Sequence, residues 1–143
     1  MTGLALRFAR EAEDLVGSPF RLHGRDPVHG LDCVGVALLA LRRCGIGVPD
    51  IGGYALRLGE PDRFIPRAEG YGFEPAYGSL LAGDLVILRP SACQLHVAIV
   101  SIAGGMIHAH AGLGRVVHQA AAGDWPLQSH WRLGAELETS WQP

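Results

Sequence analysis

At 143 residues the chain has room for one domain, residues 1–143, built around one core. Hydrophobic residues make up 48% and charged residues 18%, which excludes a disordered or collagen-like chain. A formal net charge of -2, from 12 basic and 14 acidic residues, offers no long-range field for nucleic acid, so nucleic acid is not an expected partner.

Three cysteines, Cys33, Cys44 and Cys93, are too few and too odd in number for the disulfide framework of a small secreted scaffold. Charges run through the first twenty residues, so an export signal is not expected there. No run approaches the roughly 18 apolar residues of a span, which predicts no membrane insertion.

The first predicted element is an amphipathic helix. Leu4, Ala5, Phe8, Ala9, Ala12, Leu15 and Val16 recur at helical spacing, with Arg7, Arg10, Glu11 and Asp14 mostly on the other side, and Gly17 ends the pattern. Ser18-Pro19 then turns the chain into a loop that reaches Gly30 without periodicity. From Cys33 to Arg43 the run CVGVALLALRR is apolar nearly all round, is closed by two arginines and is followed by Gly45, which predicts a buried helix. Between Gly45 and Gly83 the chain is rich in glycine and proline, and Pro66 and Pro75 restrict it to short pieces, one of them helical. DLVILR, LHVAIVSI, GMIHAHA and RVVHQA then read as strands of an antiparallel meander, separated by Pro90, Gly104-Gly105 and Gly112-Leu113-Gly114. The tail SHWRLGAEL adds a further strand, weakened by Gly134. Helices first and hairpin-joined strands afterwards predict an α+β fold with a helix packed on an antiparallel sheet.

Asp32 precedes the second helix, where its side chain caps free backbone N–H groups and Cys33 enters the first turn. The positive end of the helix dipole favours a thiolate there. Gly35 permits close approach by a backbone or a substrate. A nucleophilic thiol needs a base, and His96 opens the run HVAIV, where a polar side chain has no packing reason to stand. A third group should orient the imidazole. A three-residue turn Ile102-Ala103-Gly104 sets His110 opposite His96 and His108 diagonally, roughly 7–8 Å away by Cα, so parity admits both. His23 and His29 read as solvated loop residues, His118 and His130 as incidental, Cys44 as a core thiol and Cys93 as a loop or strand-end residue.

The ordered strings GSPFRLHG, GLDCVG, GDLVIL, HVAIV and MIHAHAG resemble the NlpC family of bacterial cell-wall cysteine peptidases, a trimmed relative of papain, over about Leu15 to Gln119. The resemblance implies a papain-like core with Cys33 as nucleophile, His96 as base and His108, in the "IHA" string, as the third catalytic residue. It implies peptidoglycan stem peptides as substrate, cut between D-glutamate and a diamino acid, with Asp32 near the substrate's amino end. Phe20 stands where the family has tyrosine and Val34 where it has serine; both positions belong to the implied substrate site. HAHAG followed by GRVVHQ, with the later Trp125 and Trp131, resembles the branch carried by phage tails. That branch implies a protein made in the cytoplasm, carried on a phage-like particle through tail or baseplate hub proteins, and acting in the periplasm or cell wall. Trp125, Trp131 and Trp141 are its expected docking surface.

No cofactor is expected. A zinc hydrolase using Cys33, His96, His108 and His110 lacks the short-spaced ligand pairs such a site needs. The rival from another class is a baseplate module that keeps the fold after its active site has decayed, as Phe20 and Val34 would begin to suggest.

Overall fold

A computed structural model of the chain describes residues 3–47, 70–91, 94–120 and 125–142. The first helix, α1, covers Gly3–Glu13 and buries Leu4, Ala5, Phe8, Ala9 and Ala12, as its periodicity requires. Glu11 departs from the expected exposed face: it is buried, and Arg7 one turn earlier neutralises it at 2.6 Å. The loop before Gly30 folds into a two-stranded ribbon, β1 (Arg25–Asp26) against β2 (Gly30–Leu31), which the sequence pattern did not reveal.

Helix α2 runs over Cys33–Arg43. Asp32 is its cap, accepting from the Gly35 N–H at 2.8 Å, and the Cys44 N–H closes the far end on Ala40 and Leu41 carbonyls. Most of the stretch between Gly45 and Gly83 in which one helical piece was expected, residues 48–69 with Pro66, lies outside the described residues, as does Cys93.

The strands are β3 (Phe73–Pro75), β4 (Leu85–Ser91), β5 (Gln94–Val100), β6 (Met106–His110), β7 (Arg115–Gln119) and β8 (Leu127–Leu133). Their order in the sheet is β3-β8-β4-β5-β6-β7, antiparallel throughout. The meander β4 to β7 follows the sequence pattern, but the tail strand inserts between β3 and β4 instead of extending the other edge. Pro90 lies inside β4, in the stretch where the β4–β5 register shifts, a position that tolerates a residue without an N–H. Gly134 ends β8 and starts a short helix, α3 (Ala135–Ser140), so SHWRLGAEL is part strand and part helix.

Both faces of the central strands are covered. Leu85, Ile87, Leu95, Val97, Ile99 and Ile107 join α1 and α2 in the main core, while Val86, Leu88, Ala98, Val100 and Met106 form a smaller cluster with Leu80 and Trp125. Double-sided burial explains why DLVILR and HVAIV read as nearly continuous apolar runs. Glu138 of α3 accepts from the N–H groups of Leu4 and Ala5 at 3.0 and 2.8 Å, capping α1 from the distant end of the chain.

Candidate active site

The site forms where β5 and β6 part. These strands pair as Ile99↔Ile107 and Val100↔Met106, closed by the Ser101 N–H on the Gly105 carbonyl across the predicted three-residue turn. The ladder goes no further, so the His96 end of β5 has no β6 backbone beside it. Val100 donates toward β4, to the Asp84 carbonyl, and alternation therefore turns the Val97 N–H toward the gap. That N–H favours the thiolate of Cys33, on the first turn of α2, against the larger effect of burial.

His96 lies opposite Leu88 in the β4–β5 ladder and on the face of the smaller core. Its Nε2 is 2.7 Å from Nδ1 of His108, with the two rings perpendicular and their centres 4.7 Å apart. His108 Nε2 is in turn 2.6 Å from Oε1 of Gln119 on β7. His108, and not His110, is thus the histidine of β6 that bonds to His96. His110 is held elsewhere, its Nδ1 accepting from the Leu113 N–H at 3.0 Å. Trp125 covers the group, with its ring 5.2 Å from His96 and 5.8 Å from His108. Sequence reasoning missed Gln119 and the covering role of Trp125. The parity of the β6–β7 hairpin, in which Met106 faces Gln119, is the signal that could have placed Gln119 beside His108.

Electrostatics make this a neutral pair. Burial pulls the His96 pKa down to about 3, with the neighbouring His108 and His110 adding to the shift, and burial also lowers that of His108. The Cys33 thiol is pushed up to about 12 by burial first and by the Asp32 charge second. The expected lowering at a helix N-terminus is therefore overturned. A rise from the ordinary 9.0 to about 12 disfavours the thiolate by about 4 kcal/mol, whereas a helix terminus returns about 0.3–1 kcal/mol. The thiol and His96 share no hydrogen bond in this resting arrangement, and His96 Nδ1 takes none among the described residues.

The expected substrate residues fare differently. Asp32 is 0% exposed: one carboxylate oxygen caps α2 and meets Arg25 Nη1 at 3.2 Å, and the other accepts from the His23 N–H at 2.8 Å. In this arrangement both oxygens serve the fold, and the side chain presents no exposed surface to a substrate ammonium. Val34, expected in the cleft, is 4% exposed and belongs to the main core, because the second residue of α2 faces inward. Phe20 is partly buried against the main core, its N–H bonded to the Gly114 carbonyl at 2.8 Å. Gly35 admits backbone, not substrate: a Cβ there would stand 2.2 Å from the Gly24 carbonyl oxygen.

Trp131 is buried in the main core and Trp141 donates to the Cys44 carbonyl at 2.9 Å, so the three tryptophans present no common docking face. His29 pairs with Asp26 at 3.4 Å in an exposed loop, and His118 bonds the Gly104 carbonyl at 2.8 Å. His130 is buried near the Asp84–Arg132 pair. Among the described residues no three His, Cys, Asp or Glu side chains are grouped to hold a metal. Three of the four ring nitrogens of His96 and His108 are already hydrogen-bonded.

A thiol on the first turn of a buried helix, meeting the backbone of an antiparallel sheet, defines the class: a papain-like α+β fold. The chain belongs to the NlpC/P60 family, cysteine peptidases that hydrolyse peptidoglycan, whose family model matches residues 17–132. Among solved structures it is similar to NlpC1 from Trichomonas vaginalis, with a TM-score of 0.68 and 20% identity over 90% of this chain and 44% of that one. NlpC2 from the same organism gives 0.67 and 19%, over 91% and 46%. The NlpC/p60 domain of the peptidoglycan hydrolase SagA gives 0.58 and 24%, over 88% and 96%. The chain thus spans less than half the length of the two Trichomonas proteins, and these likenesses concern the fold. No curated protein sequence matches it.

Proposed function

We propose that this chain is a cysteine peptidase that cuts the peptide part of peptidoglycan, with Cys33 as nucleophile, His96 as base and His108 as the group that orients His96. The observation that carries the reading is the 2.7 Å bond between His96 Nε2 and His108 Nδ1, on the residue next to the Val97 N–H that favours the Cys33 thiolate. A neutral imidazole held from one side keeps its other nitrogen for the thiol proton.

As the Cys33 sulfur attacks the amide carbon, its proton passes to His96 Nδ1. The tetrahedral intermediate collapses when His96 returns that proton to the departing amine, leaving a thioester on Cys33. Water then adds, His96 takes the water's proton, and the acid leaves with the thiol restored. The neutral resting pair is no obstacle, because proton transfer accompanies attack and a stable ion pair is not required.

The bond between D-glutamate and a diamino acid is the finer proposal, and it rests on the GLDCVG and MIHAHAG strings. Of the residues expected to bind substrate, Phe20 is only partly buried, whereas Asp32 holds the loop and helix start around Cys33. Digestion of purified peptidoglycan with wild type and Cys33→Ala, followed by mass analysis of the fragments, tests both levels. We expect stem-peptide cleavage by wild type alone. No release by wild type would favour the decayed baseplate module instead.

Delivery by a phage-tail-like particle is proposed on the likeness of the HAHAG and GRVVHQ strings to tail-borne members. Fractionating particles from the producing cells should find the chain with tails, and its presence only as free protein would defeat this part.

A further inference from the structure

We infer that Gln119 is a positioning residue that fixes the proton on the correct nitrogen of His96, acting through His108; the inference deepens the proposed mechanism and rests on His96 being its base. A neutral imidazole has one donor nitrogen and one acceptor nitrogen, so a chain of imidazoles has a direction set by its last member. Here the last member is an amide. Its oxygen, Oε1, lies 2.6 Å from His108 Nε2, which must then carry the proton. His108 Nδ1 is left as an acceptor, so His96 must donate from Nε2 across the 2.7 Å contact. Its Nδ1 then holds a lone pair, the form a general base needs.

Reversing the Gln119 amide reverses every link. An NH2 group facing His108 would make Nε2 the acceptor and Nδ1 the donor, and His96 would carry its proton on Nδ1. Among the described residues no other group sets the direction. His108 is 2% exposed, and Trp125 lies against both rings, 5.2 and 5.8 Å from their centres. His110, 5.7 Å from His108 by ring centres, is committed to the Leu113 N–H. Placement of Gln119 follows from the β6–β7 register, in which Met106 faces Gln119 and His108 faces Val117, so Gln119 reaches His108 along the diagonal.

The test is nitrogen-detected NMR of the imidazoles at pH 8, where both rings are neutral, on wild type, Gln119→Met and Gln119→Glu, with kcat on peptidoglycan fragments measured beside it. Wild-type His96 should be protonated on Nε2. Gln119→Met, close in volume but without the acceptor, should populate both His96 tautomers and lower kcat by about 10–100-fold, as loss of an outer-shell partner does. Gln119→Glu can only accept, so it should hold the wild-type tautomer and restore most of the rate at pH 8. Its acid limb should move upward, because a carboxylate helps protonate His108 and an imidazolium there donates from both nitrogens. Wild-type His96 protonated on Nδ1 would overturn the inference, as would a Gln119→Met enzyme with unchanged tautomer and kcat. Should Gln119→Met not fold, the wild-type and Gln119→Glu spectra decide alone. A wild type inactive on peptidoglycan would defeat the proposed function and still leave the tautomer readable.

Discussion

Helix α2 holds a buried cysteine at each end, and the two ends differ in what surrounds the sulfur. Cys44 closes the C-terminal end, with its carbonyl bonded to Trp141 and its thiol pushed up to about 11, chiefly by burial and then by Glu11. Cys33 opens the N-terminal end with its thiol pushed up to about 12. Burial and acidity therefore do not separate a reactive thiol from a packed one here. What separates them is the company they keep: near one end a line of ring nitrogens ends in an amide, and at the other the described surroundings are packing, a cap and the charges of Glu11, Arg7 and Glu138.

The largest expected effect tests that separation at its root. Cys33→Ala and His96→Ala should each remove turnover, a loss of at least about 10³-fold, since both groups exchange bonds or protons with substrate. Cys44→Ala should keep kcat and cost about 1–2 kcal/mol of stability through the lost sulfur volume. Peptide-release assays beside thermal melts would show it, and equal loss of activity from Cys44→Ala would erase the distinction.

His108→Ala should fall between these, losing about 10²-fold in kcat and retaining measurable activity, because an orienting group makes no bond to substrate. His110→Ala should do less. If His110→Ala were the more damaging of the two in steady-state assays, the His96–His108 contact would be the wrong one to follow.

Asp32→Ala should sharpen the contrast from the structural side. The change removes the cap of α2 and strips Arg25 of its buried partner, for an expected loss of about 3 kcal/mol in denaturant unfolding. Asp32→Asn keeps an acceptor for the Gly35 N–H and should lose less.

The last effect is on pH dependence. An imidazole whose folded pKa lies below its unfolded value of about 6.5 is protonated first in the unfolded chain. The stability it contributes is full above that value and is lost as the pH falls toward the folded pKa, about 3 for His96. His108 shifts in the same direction. Unfolding free energy should therefore fall across this window, and His96→Gln should flatten the slope. A slope unchanged by His96→Gln would show that the ring is not held neutral.

Much of this was legible in the chain because the signals are local. Asp32, the apolar run and Gly45 bound α2 at the residues where it forms, and turn residues set β4 to β7 and the three-residue turn after Ser101. The resemblance chose His108 where hairpin parity left His108 and His110 open, and the 2.7 Å contact falls on His108. The insertion of β8 between β3 and β4 was hidden because strand order is a property of distant segments, and no periodicity reports it. Acidity of the thiol was misjudged for a similar reason. A helix terminus is visible in sequence, but the desolvation that outweighs it depends on everything packed around Cys33. Asp32 shows the same limit: its place beside Cys33 suggested a cap and a substrate contact, and its bonds to Arg25 and His23 were not visible in the pattern.

The most direct measurement is the rate of alkylation of each thiol at neutral pH, resolved by peptide mapping, in wild type and His96→Ala. On acidity and exposure alone Cys44 should react first, with a pKa of about 11 against about 12 and 6% exposure against 2%. We expect the reverse: Cys33 labelled ahead of Cys44 in wild type, and slowed to the Cys44 rate or below in His96→Ala. Labelling of Cys33 that is slower than that of Cys44, or indifferent to His96, would contradict the assignment of Cys33 and His96 as the reacting pair.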